Sequence, residues 1–575
     1  MSPRRLWVVV LMLLVGGFTV VGRAVQVTVI EGDEWRDRAQ GQHQQVIHVP
    51  GPRGTIRSAD GYVLATSLER VAIQVDTRLL ADPALFARAV APILDIEADD
   101  LIERLVDGPR TVWLAKQAMV ETGEAIRELE PTAVVMVPDF ARAYPLASLA
   151  APVVGFVGRE ELQTVGRAGL EHLYDDVLAG APQTYLAIND AIQRKVRLER
   201  LESGRAGFDL ELAIHARLQA VCETELQRAL DEFRADAASA VVLDPSTGAV
   251  LALGSLPSFD PSNPGQVPPE QWRLRPVQDA IEPGSTVKPM VAAAALAAGI
   301  IESGERFDCR GRGTRLAGFW IRDHVAPGRY TIDEVVAFSA NTGIIEIAER
   351  IPQDHLYRTF TAFGFGTRSE ISFPAEARGI VPEVRTWSRL SRAGFALGQE
   401  LTVTPLQVAL AYAAIANGGW LPEPCLVTRA AAEEWSLPPR SPRRARVLDT
   451  ALAERLTSML EAVVEEGTGK AAQIPGFRVA GKTGTAQRAV KGGFDDENHV
   501  AWFAGFFPLP DPKLVIVVAL ENPRVDFWGS TTAAPVFARI AEAAAGHLDL
   551  PREGATDVVR VALDGATTVA RGGGV

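Results

Sequence analysis

Glu282-Pro283-Gly284-Ser285-Thr286-Val287-Lys288-Pro289 is the stretch around which this 575-residue chain is organised. It runs directly into the apolar residues 290–301. Pro283 and Gly284 break whatever precedes them, so the run reads as a buried helix whose first turn carries a hydroxyl and an amine. Ser285 and Lys288 then stand at i and i+3, on one helix face. A serine hydroxyl is a weak nucleophile until a base takes its proton, and a lysine in a poorly solvated pocket can lose enough proton affinity to be that base. The helix N-terminus favours an oxyanion forming beside it. Alone, S-x-x-K arises by chance in long chains, and the plain alternative is a capping serine with a solvated lysine.

The length is too great for one ordinary core and implies two or three domains. An apolar share of 47% and a charged share of 22% are those of a folded protein. A net charge of −13 argues against a nucleic-acid binder. Cys222, Cys309 and Cys425 lie far apart with no C-x-x-C pair, which points to buried free thiols and away from a disulfide framework or zinc knuckle. The eight histidines are scattered, so no metal site is expected, and no cofactor is implied.

At the N-terminus, Arg4 and Arg5 precede an uncharged, mostly apolar run over residues 6–22 that ends at Arg23. With Ala24 and Val25 the run reaches about the 20 residues that a spanning helix needs, Arg23 snorkelling to the surface. No convincing A-x-A cleavage site follows. The expectation is a retained signal anchor over residues 6–25, with residues 1–5 in the cytoplasm and the remainder outside. Residues 27–45 are polar and read as a juxtamembrane helix or stalk.

Further along, Asp60-Gly61 between short β-like segments signals a hairpin. Residues 70–205 mix short strands with helical stretches such as 82–94 and hold no catalytic cluster. The glycines from Gly155 to Gly169, before Glu171 and Asp175, read as turns tying this region together; they do not follow G-x-G-x-x-G. Residues 214–233 place apolar side chains at helical spacing, so Cys222 packs against a core. Residues 239–243 and 249–253 read as a hairpin opening a second, α-and-β domain.

Two more clusters follow. Phe338-Ser339-Ala340-Asn341-Thr342-Gly343 ends an apolar stretch and leads into a helical pattern over 344–351, so the turn offers a hydroxyl and an amide to a cleft. Phe477-Arg478-Val479-Ala480-Gly481-Lys482-Thr483-Gly484-Thr485-Ala486 reads as a strand with a lysine and hydroxyls at its centre and glycines that let a ligand approach the backbone. Residues 500–507 and 513–520 make a hairpin beside it, and 533–545 a closing helix. The end of the tail is expected to be poorly ordered.

The ordered set Ser285-Thr286-Val287-Lys288, Ser339-Ala340-Asn341 and Lys482-Thr483-Gly484 resembles the S-x-x-K, S-x-N and K-T-G motifs of the penicillin-recognising serine acyltransferases. Longer phrases are similar to class B penicillin-binding proteins, among them Val403-Thr404-Pro405-Leu406-Gln407, Ala416-Asn417-Gly418-Gly419 and Ala533-Ala534-Pro535-Val536-Phe537. The likeness covers nearly the whole chain. Arg53-Gly54-Thr55-Ile56 with Gly61 and Leu64-Ala65 resembles the family's first N-terminal motif, but Ser58, Ala59 and Asp60 stand where Asp, Arg and Asn are usual, a departure that bears on how the N-terminal module packs. Trp528-Gly529-Ser530 stands where Tyr-Gly-Gly is commoner.

The resemblance implies an α+β multidomain fold: the anchor, an elongated pedestal or dimerisation module over residues 26–209, and a serine transpeptidase domain over 210–550. That domain would be an antiparallel sheet with helices on both faces and a helical subdomain, followed by a flexible tail over 551–575. It implies a D,D-transpeptidase that cross-links peptidoglycan stem peptides and is inhibited by β-lactams. Ser285 would be the nucleophile and Lys288 its base, with Ser339 relaying a proton to the leaving amine. Asn341 would bind the peptide amide, Lys482 would supply positive charge, and Thr483, Gly484 and Thr485 would line the substrate site. The backbone N–H groups of Ser285 and Thr485 would form the oxyanion hole. Implied partners are lipid-linked stem peptides, β-lactams, the membrane, a peptidoglycan polymerase and division-complex proteins, with a single-pass location in the cytoplasmic (inner) membrane and a septal more than an elongation role. A D,D-carboxypeptidase and an inactive division scaffold are the alternatives. A β-lactamase is disfavoured by the large N-terminal region and the lack of an E-x-x-L-N stretch, and a bifunctional class A enzyme by the lack of an acidic catalytic block in residues 50–205.

Overall fold

The computed structural model describes residues 3–31, 44–160, 163–189, 195–309, 311, 313–316, 319–321, 323–432, 435–436, 444–490 and 493–552. Most of the expected stalk and the tail beyond residue 552 lie outside the described residues. Helix α1 (Pro3–Val25) continues into one wide turn over Gln26–Ile30. The 21 residues Val10–Ile30 are long and apolar enough to cross a membrane and bury nothing against the rest of the chain, which fits a single-pass anchor.

A mixed sheet shared between the N-terminal module and the following domain runs in the order Trp435–Ser436, Val427–Ala432, Asp209–Leu212, Ile56–Arg57, Val63–Asp76 and Thr111–Ala118, and Val134–Ala143 also pairs along Val63–Asp76. The Asp60-Gly61 hairpin is present: Ile56 faces Ala65 and Arg57 faces Val63, while Gly61 takes a φ of +85°. Helix Pro83–Leu94 starts as its sequence dictates, with the Asp82 carboxylate accepting from the N–H groups of Ala84 and Leu85 and proline in the first turn.

The glycine-rich passage does tie this module together. A Cβ on Gly155 would lie 1.8 Å from the Ala168 carbonyl oxygen, and one on Gly166 would lie 1.9 Å from that of Glu171. Around these turns is a buried ionic knot absent from the sequence reading. Arg53 Nε and Arg142 Nε donate to the two oxygens of fully buried Glu171 at 2.5 and 2.6 Å, and Arg53 Nη1 donates to Asp175 at 2.6 Å. Removing one partner of such a knot would leave an uncompensated buried charge, a loss of about 3–5 kcal/mol.

The catalytic half of the chain is built, in order, from α2 (Ala216–Phe233), β1 (Ala237–Leu243), β2 (Val250–Leu256), α3 (Lys288–Ala297), α4 (Ile332–Ala337) and α5 (Asn341–Arg350). Then come α6 (Pro405–Ala416), α7 (Thr450–Glu465), β3 (Ala480–Val490), β4 (Gly493–Phe507), β5 (Leu514–Glu521) and α8 (Ala533–His547). The sheet order is β2-β1-β5-β4-β3 with every pair antiparallel. Both faces are covered, which is why β5 reads as an unbroken apolar run. Leu514, Ile516, Val518 and Leu520 pack with Phe537 and Ile540 of α8 and Leu226 of α2, whereas Val515, Val517 and Ala519 pack into the opposite core with Leu406 and Leu410 of α6. Helix α6 opens with a capping box between Thr404 and Gln407 and proline at its first position, the physical content of the phrase Thr404-Pro405-Leu406-Gln407.

Several contacts join the modules at α2. The Asp60 carboxylate, itself bonded by the Ser58 hydroxyl at 2.7 Å, accepts from the N–H of Ala216 at 2.8 Å and so caps α2 from outside. In return, Glu223 of α2 accepts from Ala150 N–H at 2.9 Å. Ser58 and Asp60, where the chain departs from the usual family residues, therefore serve the junction between modules.

Candidate active site

Ser285 lies in a tight 3₁₀ turn, Gly284–Val287, that leads into α3. Four contacts lock this turn. Gly284, at φ +55°, donates its N–H to the Gly398 carbonyl at 3.1 Å, and a Cβ on Gly398 would lie 2.0 Å from the Gly284 carbonyl oxygen. The buried Tyr412 hydroxyl donates to the Thr286 carbonyl at 2.8 Å, and Trp502 Nε1 donates to the Glu282 carbonyl at 3.0 Å. The Thr286 hydroxyl closes the turn on the Pro283 carbonyl at 2.8 Å. Tyr412→Phe would leave the Thr286 carbonyl without that donor and is expected to lower stability by about 1–2 kcal/mol in equilibrium unfolding, with wild-type stability as the contrary result.

Lys288 is fully buried, and its Nζ donates to the Ser339 carbonyl (2.7 Å), Ser339 Oγ (3.1 Å) and Asn341 Oδ1 (2.7 Å). Burial pushes its pKa down to about 7, against the opposing pull of Asp323 and the Cys309 thiol. Ser285 Oγ stands outside this trio; among the described residues it makes no hydrogen bond. Ser339 follows α4 in the left-handed region, at φ +59°, with Ala340 N–H bonded back to the Val335 carbonyl at 2.9 Å. This is a strained conformation for a residue other than glycine, and it turns the Ser339 carbonyl toward the lysine. The helical pattern expected over 344–351 begins three residues earlier, so Asn341 is the first residue of α5 and not part of the preceding turn.

The third motif lies on β3, the outermost strand of the sheet. Gly484 faces the serine turn: a Cβ there would lie 2.8 Å from Thr286 Cγ2 and 2.9 Å from the Pro283 carbonyl oxygen. Thr483 Oγ1 is 2.7 Å from Thr468 Oγ1, and Thr485 Oγ1 accepts from Gly529 N–H at 3.0 Å. Lys482 is fully buried, with Nζ 3.3 Å from the Thr483 carbonyl oxygen, and burial together with the neighbouring Lys288 ammonium holds its pKa well below the usual lysine range. Two buried ammonium groups so placed repel, which favours the neutral form of one of them. At the rim, Trp528 meets His324 edge to face with ring centroids 5.0 Å apart.

The residues singled out from sequence thus fall on the serine turn and the start of α3 (Ser285, Lys288), the turn between α4 and α5 and the start of α5 (Ser339, Asn341), and β3 (Lys482 to Thr485). Sequence reasoning missed Tyr412, Trp502 and Gly398, which lock the serine turn, and Thr468, which holds Thr483. Of these, only Thr468 left a local signal, the turn sequence Gly467-Thr468-Gly469. Asp323, bonded to the start of α5, was missed as well. Cys222 and Cys309 are buried free thiols as expected, while Cys425 is half-buried.

Comparisons with known proteins place the chain in a family. Residues 238–542 match the family described as the penicillin binding protein transpeptidase domain, and residues 48–212 match the penicillin-binding protein dimerisation domain. Peptidoglycan D,D-transpeptidase FtsI of Escherichia coli strain K12 is 31% identical over 530 residues, covering 91% of this chain and 88% of its own. Stage V sporulation protein D of Bacillus subtilis is 31% identical over 85% of this chain and 77% of its own. The crystal structure of penicillin binding protein 3 of Mycobacterium tuberculosis complexed with aztreonam superposes with a TM-score of 0.68 at 27% identity, over 88% of this chain and 98% of that one. Fold and family matches together define a two-domain protein in which a serine-type transpeptidase domain follows a dimerisation module. The chain belongs to the class B penicillin-binding proteins.

Proposed function

We propose that this protein is a β-lactam-sensitive peptidoglycan D,D-transpeptidase working through an acyl-enzyme on Ser285. The observation that carries the reading is Lys288: a fully buried amine with a pKa near 7, held by Ser339 and Asn341 beside the serine turn. Ser285 Oγ bonds to the carbonyl carbon of the penultimate D-alanine as its proton passes to neutral Lys288 Nζ. The oxyanion is held by the N–H groups of Ser285 and Thr485, a contribution of about 3 kcal/mol per donor. Collapse breaks the peptide bond, and the terminal D-alanine leaves with a proton relayed through Ser339. An amine of a neighbouring stem peptide then attacks the ester, restores Ser285 and forms the cross-link.

Asn341 binds the peptide amide, and Thr483, Gly484 and Thr485 receive the substrate carboxylate. An arriving carboxylate favours the protonated form of Lys482, whose pKa burial and the Lys288 ammonium hold down. With a stem-peptide donor and an amine acceptor, purified enzyme is expected to yield the cross-linked dimer by mass spectrometry. Hydrolysed donor alone would make it a D,D-carboxypeptidase.

We infer a single-pass protein of the cytoplasmic membrane with its N-terminus inside, since Arg4 and Arg5 precede the apolar span. A working division at about residue 210 separates the pedestal from the catalytic domain. The septal role is favoured by Lys482-Thr483-Gly484 and Ser339-Ala340-Asn341, with a polymerase and division proteins as partners. Depletion should then give filaments, and rounded cells would assign the enzyme to elongation.

A further inference from the structure

Asp323 belongs to none of the three motifs, yet it holds the backbone of Asn341, whose side chain accepts from Lys288. It is buried, with 7% of its surface exposed. Its Oδ1 accepts from the N–H of Asn341 at 3.0 Å and from its neighbour His324 at 3.0 Å, and its Oδ2 accepts from the N–H of Thr342 at 2.9 Å and from the Thr342 hydroxyl at 2.5 Å. These N–H groups belong to the first turn of α5, so the carboxylate both caps the helix and meets its positive end.

Burial alone would raise the Asp323 pKa, but the Thr342 hydroxyl, the N–H groups of Thr342 and Asn341, and the Lys288 ammonium outweigh it and keep the group charged. Among the described residues, the titratable groups around Lys288 are Asp323, the Cys309 thiol on strand Phe307–Cys309 and Lys482 on β3. His324, adjacent to Asp323 in the chain, turns outward against Trp528.

We propose that Asp323 is a positioning residue for this site: it fixes the first turn of α5, and with it the Asn341 amide that receives Lys288, while its charge balances that of the buried ammonium. It touches no reacting atom and acts through Asn341 and Lys288. The proposal rests on the reading of Lys288 as the base.

The test is the second-order rate of acylation by a fluorescent penicillin, measured against pH on the full-length, detergent-extracted protein and on Asp323→Asn, with thermal unfolding alongside. Loss of the anion makes the lysine ammonium less favourable, so neutral Lys288 appears at lower pH. The acidic limb is expected to move down by about 1 pH unit, while the plateau rate falls about 10- to 100-fold as Asn341 loses its fixed position. Asp323→Glu, which restores the charge, should bring the limb back toward the wild-type position. A limb that stays in place in Asp323→Asn while the rate falls in step with stability would overturn the proposal, leaving Asp323 a helix cap only. If Asp323→Asn does not fold, Asp323→Ser carries the same comparison, since it keeps a short acceptor without charge. Failure of the underlying reading is seen separately, as a wild-type limb that survives in Lys288→Ala.

Discussion

Ser285→Ala is expected to abolish covalent labelling by fluorescent penicillin, a fall in acylation of about 10⁴-fold or more, since removing the nucleophile of a serine acyltransferase removes the step itself. The fold should survive, because the Ser285 hydroxyl makes no hydrogen bond among the described residues and the turn is held by Gly398, Tyr412 and Trp502 instead. Unfolding of the variant should therefore match wild type to within about 0.5 kcal/mol. Residual labelling at a wild-type rate would place the nucleophile elsewhere.

Wild-type acylation is expected to rise with pH through a limb centred near 7, where buried Lys288 loses its proton. The sign follows from the role: only the neutral amine accepts the serine proton, so activity is low below the limb and full above it. Lys288→Ala should cost about 10²–10⁴-fold at the plateau and remove the limb. Lys288→Arg should be equally poor, because a guanidinium stays protonated over the whole range. A rate independent of pH between 5.5 and 8.5 (roughly 1.5 units either side of the limb) would contradict the assignment.

The parts of this enzyme legible in its sequence are those in which one short segment carries both the chemistry and the local structure. Ser285 and Lys288 are three residues apart across the junction of the serine turn and α3, Lys482 to Thr485 lie along one strand, and Thr404 to Gln407 spell a helix start. The five strands of the catalytic sheet are readable because burial on both faces makes their cores apolar, although β4 starts at Gly493, ahead of the apolar run over 500–507 that marks it. What stayed hidden depends on contacts between distant segments. Asp323 reaches α5 across a span that no periodicity marks, and the left-handed turn at Ser339 is imposed by packing on a residue whose own preference opposes it.

The N-terminal knot makes the same point. Arg53, Arg142, Glu171 and Asp175 are spread over 123 positions, and no spacing in the sequence pairs them. Only the fold shows that Glu171 is fully buried between two guanidinium groups. The departures at Ser58 and Asp60 also gained meaning only in three dimensions, as a cap supplied to α2 by the neighbouring module.

The most direct test of the central claim is mass spectrometry of peptides from penicillin-treated, full-length protein. The adduct is expected on the peptide containing Ser285, with fragment ions placing the added mass on that residue and none on Ser339. An adduct mapped to any other residue, or an unmodified Ser285 peptide from folded protein at saturating penicillin, would contradict it.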